Sequence, residues 1–212
     1  MNDYLLISTP DYLGLKKGNE KPFYIDFVNG KMGYRHRHAA FKKELLAKAI
    51  HLKPASHPVI VDATAGWGRD SFILAARGYH VIMLERSPMV YALLNDALTR
   101  AQAHQATAAI AAKLQLINAD ALDWLPAHPK PDVIYLDPMF PMRKKSALVK
   151  KEMILLQDLL GAEDDTALLE LALTCASKRV VVKRPRLASF LNGRKSDFSI
   201  TGKNSRFDVY LS

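Results

Sequence analysis

The chain has 212 residues, of which 49% are hydrophobic and 24% are charged, and its formal net charge at pH 7 is +9. This length and composition are those of one globular core, and they exclude a membrane-spanning, fibrous or disordered chain. The excess of 30 basic over 21 acidic residues makes a polyanion such as nucleic acid a plausible partner.

The N-terminal quarter of the chain carries the first predicted elements. Residues 23–28 are aromatic and β-branched, Asn29-Gly30 is typical of a two-residue turn, and 31–34 can return as the partner strand. Apolar residues at helical spacing then predict an amphipathic helix over 39–50. We therefore expect residues 1–52 to form a small hairpin and helix appendage, and residues 53–212 to form the main domain.

The main domain alternates strands with helices. Strands are predicted at 59–63, 81–84, 114–117, 132–136, 180–182, 198–201 and 206–211, and helices at 69–77, 88–112, 146–160 and 164–176. Continuous apolar strands indicate a mostly parallel sheet covered on both faces. The two closing strands lack an intervening helix, which places an antiparallel strand at one edge. The predicted fold class is α/β, a seven-stranded Rossmann-like sheet typical of class I methyltransferases that use S-adenosylmethionine (SAM).

A glycine-containing turn follows the first strand of the main domain. Asp62 ends that strand, and Gly66 and Gly68 allow a ligand to approach the backbone before the next helix begins. A dinucleotide fingerprint would have glycine at the position of Ser71, and the lysine of a phosphate-binding loop is missing. The turn therefore indicates a nucleotide-like cofactor without a cradled pyrophosphate; a purely structural tight turn is the alternative.

Two acidic residues at later strand ends support a cofactor site. Glu85 ends the second strand of the main domain, where its two oxygens can bind the vicinal hydroxyls of a ribose. Asp120 follows the third strand and can accept the amino group of an adenine, or it can simply cap a helix.

The loop after the fourth strand is the most informative segment. It combines an acid, two prolines and an aromatic ring in Asp137-Pro138-Met139-Phe140-Pro141. An exocyclic amine is a poor nucleophile because its lone pair is delocalised into the ring, so a catalyst must orient it. Asp137 and the carbonyl of Pro138 can accept the two N–H groups, and Phe140 can stack on the base. These three residues are the predicted catalytic group.

Basic residues cluster on both sides of this loop in the predicted sheet. The predicted RNA-binding residues are Arg143, Lys144, Lys145, Lys150, Lys151, Lys183, Arg184 and Arg186, and further basic residues occur at 35–38, Lys203 and Arg206. Charge runs are usually solvated faces, but several that converge on one sheet edge favour a phosphate track. The single cysteine, Cys175, and the pair His36 and His38 lack further ligands, so no metal site is predicted.

Five segments resemble one known family, ribosomal RNA small subunit methyltransferase J. They are DATAGWGRD (62–70), MLERSP (83–88), VIYLDPMFPMRKKSALVKKEM (133–153), KRVVVKRP (178–185) and GKNSRFDVY (202–210). The resemblance implies a SAM-dependent enzyme that methylates the N2 amine of a guanosine in 16S rRNA. It further implies that the cofactor site contains Arg69, Asp70, Glu85, Arg86, Asp120, Ala121 and Asp137. Residues 1–10 lack the pattern of a secretion leader, so a cytoplasmic protein is expected.

Three other interpretations remain open from the sequence. An adenine-N6 DNA methyltransferase could use the same Asp-Pro-x-Phe loop, because both targets are exocyclic amines. A noncatalytic RNA-binding protein could keep the fold and use the glycine turn only structurally. A nicotinamide-dependent dehydrogenase is least compatible, because the third fingerprint glycine is absent.

Overall fold

A computed structural model describes residues 4–29, 45–139, 150–160 and 165–212 of the chain. The strands are β1 (Tyr4–Ser8), β2 (Leu13–Lys17), β3 (Ile60–Asp62), β4 (Val81–Leu84), β5 (Leu114–Ile117), β6 (Val133–Leu136), β7 (Arg179–Pro185), β8 (Phe198–Thr201) and β9 (Ser205–Leu211). The α-helices are α1 (Leu45–Ile50), α2 (Arg69–Ala76), α3 (Pro88–Ala103), α4 (Ala108–Ala111), α5 (Ala121–Trp124), α6 (Lys150–Leu160) and α7 (Asp165–Cys175).

The central feature is a seven-stranded sheet in the order β5-β4-β3-β6-β7-β9-β8. Strands β5, β4, β3, β6 and β7 are parallel, and β9 runs antiparallel to both of its neighbours. The predicted α/β class with a mostly parallel sheet is confirmed. The antiparallel strand stands one place inside the edge, because β8 pairs with the outer side of β9.

The central strands are covered on both faces, as their apolar sequences predict. All four residues of β6 are buried, and alternate residues point to opposite faces of the sheet. Tyr135 belongs to the buried cluster under α2 and α3, whereas Ile134 and Leu136 belong to the cluster under α7. Cys175 lies in this second cluster as a buried free thiol.

The order of the strands fixes where a ligand can bind. The chain proceeds from β3 outward to β4 and β5, and then returns to the other side of β3 with β6 and β7. In open parallel sheets, this reversal of strand order opens a crevice beyond the carboxyl ends of the strands. The crevice in this sheet lies at the ends of β3 and β6.

The N-terminal segment differs from the sequence prediction. The hairpin is formed by β1 and β2, and the predicted strand over 23–28 is wrong: only Phe23 forms a bridge, with Leu15. The carboxylate of Asp26 accepts hydrogen bonds from the backbone N–H groups of Val28 and Asn29, which bends the chain locally. The predicted return strand over 31–34 lies outside the described residues.

This bent segment packs into the core of the sheet. Phe27 is fully buried and stacks on Phe72 of α2 with ring centroids 4.5 Å apart. Tyr4 of the hairpin donates a hydrogen bond of 2.7 Å to Asp158 of α6. The division of the chain near residue 52 into an appendage and a main domain stays a prediction.

The predicted continuous helix over 88–112 is also corrected. Helix α3 ends at Ala103, and α4 begins only at Ala108. The hydroxyl of buried Thr107 donates to the carbonyl of Ala101 at 2.7 Å, which uses an acceptor at the end of α3 and stabilises a turn. Within the described part of the chain, the helices are all too short or too polar to span a bilayer.

Candidate active site

One cleft of about 1280 Å³ lies at the carboxyl ends of the parallel strands. Its glycine-turn half is formed by the turn after β3, the end of β4 and the start of α5, with Gly66, Glu85, Arg86 and Asp120 in its lining. Its β6–β7 half is formed by Asp137, Pro138 and Met139 after β6, and by Lys183 to Ser189 around the end of β7. Arg69 and Asp70, at the start of α2, stand between the two halves.

The two glycines of the turn have different roles. Both have positive φ, 51° at Gly66 and 69° at Gly68, which favours glycine at these positions. A Cβ atom on Gly68 would come within 2.6 Å of Leu94 and 3.0 Å of Met83, and Gly68 does not belong to the cleft lining. Gly68 therefore allows close packing of the core, whereas Gly66 faces the cleft.

Glu85 is buried and holds the glycine turn in place. Its Oε2 accepts the backbone N–H of Gly66 at 3.0 Å, and its Oε1 accepts the N–H of Ser87 at 2.8 Å. A carboxylate oxygen has two lone pairs, so Glu85 can accept ribose hydroxyls in addition to these backbone donors. The same carboxylate can thus shape the turn and receive a ligand.

Asp120 and Arg86 close the outer end of this half. Asp120 is the N-cap of α5 and accepts the N–H of Leu122 at 2.9 Å, with Ala121 buried beside it. Arg86 lies 4.0 Å from the carboxylate of Asp120 and donates to the carbonyl of Leu160 at 2.9 Å. Asp120 is therefore the helix cap that the sequence allowed, and it also lines the cleft; its contact with an adenine stays a prediction.

Asp62 lies at the base of the cleft, at the end of β3. It is 2% exposed, and its carboxylate accepts the hydroxyl of Ser71 at 2.5 Å and the N–H of Thr64 at 3.2 Å. Burial raises the pKa of Asp62 to about 7, although the Ser71 hydrogen bond opposes this effect. Burial therefore makes the protonated form of Asp62 more favourable than that of an exposed aspartate.

A lysine joins two carboxylates at the junction of the halves. Lys183 Nζ lies 2.6 Å from Asp70 Oδ2 and 2.8 Å from Asp137 Oδ2. Tyr135 donates its hydroxyl to the same oxygen of Asp70 at 2.6 Å. The backbone N–H of Asp137 donates to the hydroxyl of Thr64 at 2.7 Å, which ties the loop after β6 to the glycine turn.

The charges of this cluster influence one another. Burial raises the pKa of Asp137, and the charge of Lys183 opposes this effect without cancelling it. Burial lowers the pKa of Lys183, but the charges of Asp137 and Asp70 outweigh it and leave this pKa above its ordinary value. Lys183 is thus a stable ammonium ion, and Asp137 is a more basic carboxylate than an exposed aspartate.

The loop after β7 forms the outer wall and is held by two arginines. Arg206 forms a two-pronged ion pair with fully buried Asp208, with distances of 2.8 and 3.0 Å, and donates to the carbonyls of Arg186 and Ala188. Buried Arg184 donates to the carbonyl of Ser189 at 3.2 Å. The predicted RNA-binding residues therefore have distinct positions: Arg184 contacts protein atoms, whereas Arg186 is exposed at the cleft.

Several predicted residues lie outside the described part of the chain. These are Phe140, Arg143, Lys144 and Lys145; Lys150 and Lys151 lie in α6, but their side chains are outside the description. Pro138 is buried in the cleft wall beside Asp137. The described residues contain no group of three or more His, Cys, Asp or Glu side chains arranged to hold a metal ion.

Three residues contribute to this site in ways that the sequence did not predict. Tyr135 and Thr64 were not assigned roles, and Lys183 was predicted to contact RNA although it pairs with Asp70 and Asp137. The position of Tyr135 within a buried strand is the only signal for it, since a buried phenol needs a hydrogen-bond partner. The roles of Thr64 and Lys183 depend on contacts with residues far away in the sequence, so only the folded structure reveals them.

Comparison with known proteins identifies the family of the chain. The family model described as "Putative SAM-dependent methyltransferase" matches residues 1–212. A ribosomal RNA small subunit methyltransferase J from Nitrosococcus oceani is 53% identical, with 90% of this chain and 77% of the relative covered. A protein of the same name from Aeromonas salmonicida is 47% identical, with 98% and 86% covered.

A solved structure also matches almost the whole chain. It is a SAM-dependent methyltransferase from Neisseria gonorrhoeae that is 37% identical, with a TM-score of 0.79 and 99% of this chain and 83% of that chain covered. The predicted class I methyltransferase fold is confirmed. The chain is therefore an enzyme of the ribosomal RNA small subunit methyltransferase J family, a SAM-dependent methyltransferase whose cofactor is S-adenosylmethionine.

Proposed function

We propose that this enzyme methylates the exocyclic N2 amine of a guanosine in 16S rRNA of the small ribosomal subunit, in the cytoplasm. The observation that carries the proposal is the continuity of the cleft. A volume of about 1280 Å³ exceeds the upper end of pockets for a single small ligand, which is roughly 1000 Å³. A cofactor and a nucleobase can occupy such a cleft side by side.

The glycine-turn half fits the cofactor. Glu85 can accept the ribose hydroxyls, Asp120 can accept the adenine amino group, and Gly66 lines the cleft without a side chain. Arg69, Asp70, Arg86 and Ala121 belong to the same lining and complete the proposed contacts. When bound, SAM supplies a methyl group on a positively charged sulfur, and no metal or activated water is needed for its transfer.

Asp137 and Pro138 are proposed to hold the target amine. Asp137 Oδ2 is engaged by Lys183, whereas its Oδ1 receives no hydrogen bond from the described residues. Oδ1 can accept one N–H of the amine, and the carbonyl of Pro138 can accept the other, which directs the nitrogen lone pair toward the methyl group. The amine loses one proton when the new N–C bond forms, and the raised pKa of Asp137 suits its carboxylate to accept that proton.

The outer wall of the β6–β7 half is proposed to bind the RNA backbone. Arg186 and Lys203 are exposed in the cleft lining, and the chain carries a net charge of +9. Lys183 and Arg184 are assigned to protein contacts, since their polar groups are already bonded to protein atoms. The proposed RNA contacts at Arg143, Lys144, Lys145, Lys150 and Lys151 rest on the sequence alone.

The test is transfer of a labelled methyl group from SAM to small ribosomal subunits that lack the modification, followed by nucleoside analysis. We expect N2-methylguanosine as the labelled product. Labelled N6-methyladenine would contradict the guanine assignment, because it would show that the loop after β6 binds a different exocyclic amine. Absence of label in 16S rRNA, from enzyme that binds SAM, would contradict the substrate assignment.

A further inference from the structure

Among the lysines of the described residues, Lys183 alone forms ion pairs with two carboxylates. Its ammonium lies 2.6 Å from a carboxylate of α2 and 2.8 Å from the carboxylate that follows β6. Its side chain is 29% exposed, and that of Asp137 is 40% exposed. The lysine therefore stands inside the wall of the cleft and joins three separate elements, β7, α2 and the loop after β6.

The electrostatic balance of this cluster depends on the lysine. Asp70 and Asp137 bring two negative charges, and Lys183 brings one positive charge between them. The other ionisable groups that face the cluster are Asp62 at the end of β3, Tyr135 of β6 and Arg184 of β7. Arg184 acts on Asp137 through its charge, whereas Lys183 contacts both carboxylates. Removal of Lys183 would therefore favour protonation of one of them, even with Arg184 in place.

The contacts also control the orientation of Asp137. Lys183 engages Oδ2, and the backbone of Asp137 is held by the hydroxyl of Thr64. Lys183 thus holds one carboxylate oxygen, and Thr64 holds the backbone from which the side chain extends, so that Oδ1 is left for a further partner. A carboxylate that must accept an amine proton has to be ionised and correctly oriented before the substrate arrives.

We propose that Lys183 is a positioning residue for methyl transfer, which neutralises the repulsion between Asp70 and Asp137 and fixes Asp137 Oδ2 so that Oδ1 receives the target amine. This inference rests on the proposed function of Asp137. It replaces the sequence-based assignment of Lys183 to the RNA backbone. The two roles differ in what they control, since a positioning residue acts on the transfer step and a phosphate contact acts on RNA binding.

The kinetic experiment compares Lys183→Met and Lys183→Arg with the wild type on undermodified small subunits. Lys178→Met is the matched control, because Lys178 also pairs with a carboxylate, Asp132 at 2.8 Å, but at the opposite end of β7. We expect Lys183→Met to lower kcat about 100-fold at pH 7 and saturating RNA. Lys183→Arg should recover at least about a tenth of wild-type kcat, and Lys178→Met should leave kcat unchanged.

The pH profile distinguishes positioning from a purely structural role. Loss of the lysine should shift the acidic limb of the kcat profile of Lys183→Met to higher pH by about one unit or more, because Asp137 loses its neighbouring cation. An equal loss of kcat at every pH would contradict the proposal and indicate that Lys183 only stabilises the local structure. A higher KM with unchanged kcat and a smaller salt dependence would also contradict it, and would indicate a phosphate contact.

A measurement without RNA separates this inference from the proposed function. Carboxylate carbon NMR of the free enzyme, with Asp137→Asn for assignment, gives the pKa of Asp137 directly. We expect this pKa to rise by about one unit or more in Lys183→Met and to stay unchanged in Lys178→Met. An unchanged value in Lys183→Met overturns the inference. If the value rises but the wild type methylates no 16S rRNA, the control of Asp137 by Lys183 stands and the proposed substrate is wrong.

Discussion

The two halves of the cleft are built from different kinds of hydrogen bond. In the glycine-turn half, acidic side chains accept backbone N–H groups: Glu85 binds the N–H groups of Gly66 and Ser87, and Asp120 caps α5. In the β6–β7 half, charged side chains bind one another, as Lys183 does with Asp137. The first arrangement fixes a shape, whereas the second fixes a set of charges that pH and substitution can alter.

The largest effect is expected at the fully buried charge of β9, Asp208, which supports the outer wall of the β6–β7 half. Asp208→Ala leaves Arg206, whose side chain is 12% exposed, without its ion-pair partner, and should lower the free energy of unfolding by about 3–5 kcal/mol. Urea denaturation measures this loss. Glu170→Ala removes an ion pair with Arg194 whose side chains are about half exposed, and should cost no more than about 1 kcal/mol. Equal losses in both variants would refute the role of the buried pair.

The raised pKa of Asp62 predicts a pH-dependent stability. Between its unfolded pKa near 4 and its folded pKa of about 7, the folded state binds a proton that the unfolded state does not. Stability from this group therefore falls as pH rises through that window, by about 1.4 kcal/mol per pH unit, and is constant above it. Asp62→Asn should remove the dependence, so that the variant gains roughly 2–3 kcal/mol relative to the wild type between pH 5 and pH 8. Parallel stability curves over that range would show that Asp62 keeps its ordinary pKa.

Glu85, whose carboxylate accepts two backbone N–H groups in the glycine-turn half, should control the affinity for SAM. Glu85→Gln offers one carbonyl oxygen where two backbone N–H groups need acceptors, so the turn loses one charge-assisted hydrogen bond. SAM should bind about 10- to 100-fold more weakly by isothermal titration calorimetry. Asp123→Asn, an exposed acid-to-amide change on α5, should bind SAM normally. Wild-type affinity in Glu85→Gln would mean that the turn does not depend on this carboxylate.

The smallest effects are expected at the exposed cations of the outer wall. Arg186→Ala and Lys203→Ala should each weaken RNA binding a few-fold. Each should also reduce the slope of log affinity against log salt concentration by about one, the value for one phosphate contact. Filter binding at several salt concentrations measures both quantities. Lys130→Ala, an exposed lysine before the amino end of β6, is the control. If this slope is unchanged in both Arg186→Ala and Lys203→Ala, the RNA backbone does not contact the outer wall.

The sequence predicted the sheet well because its parallel strands are short apolar runs bounded by polar turns. It failed at the N-terminus, where Asn29-Gly30 was a stronger turn signal than the actual turn between β1 and β2. That turn contains no glycine and is stabilised by the hydroxyl of Thr9, which accepts the N–H of Tyr12 at 3.0 Å. A side-chain hydrogen bond of this kind leaves little trace in a pattern of apolar residues.

Part of the site could be predicted because the strands that position it could be recognised in the sequence. Glu85, Asp120 and Asp137 each follow a strand, so the order of elements alone brings them to one edge of the sheet. The partnership of Lys183 with Asp70 spans 113 residues of the chain and depends on side-chain reach within the cleft. A lysine next to two arginines looks like a phosphate contact until its carboxylate partners are located.

The most direct test of the account is methyl transfer by Asp137→Asn under single-turnover conditions, with SAM affinity measured on the same sample. The substitution keeps the size of the side chain and removes the charge that Lys183 holds in place. We expect a transfer rate at least about 100-fold below that of the wild type, with the fold intact and a much smaller loss of SAM affinity. A wild-type rate in this variant would contradict the claim that the β6–β7 half carries the chemistry.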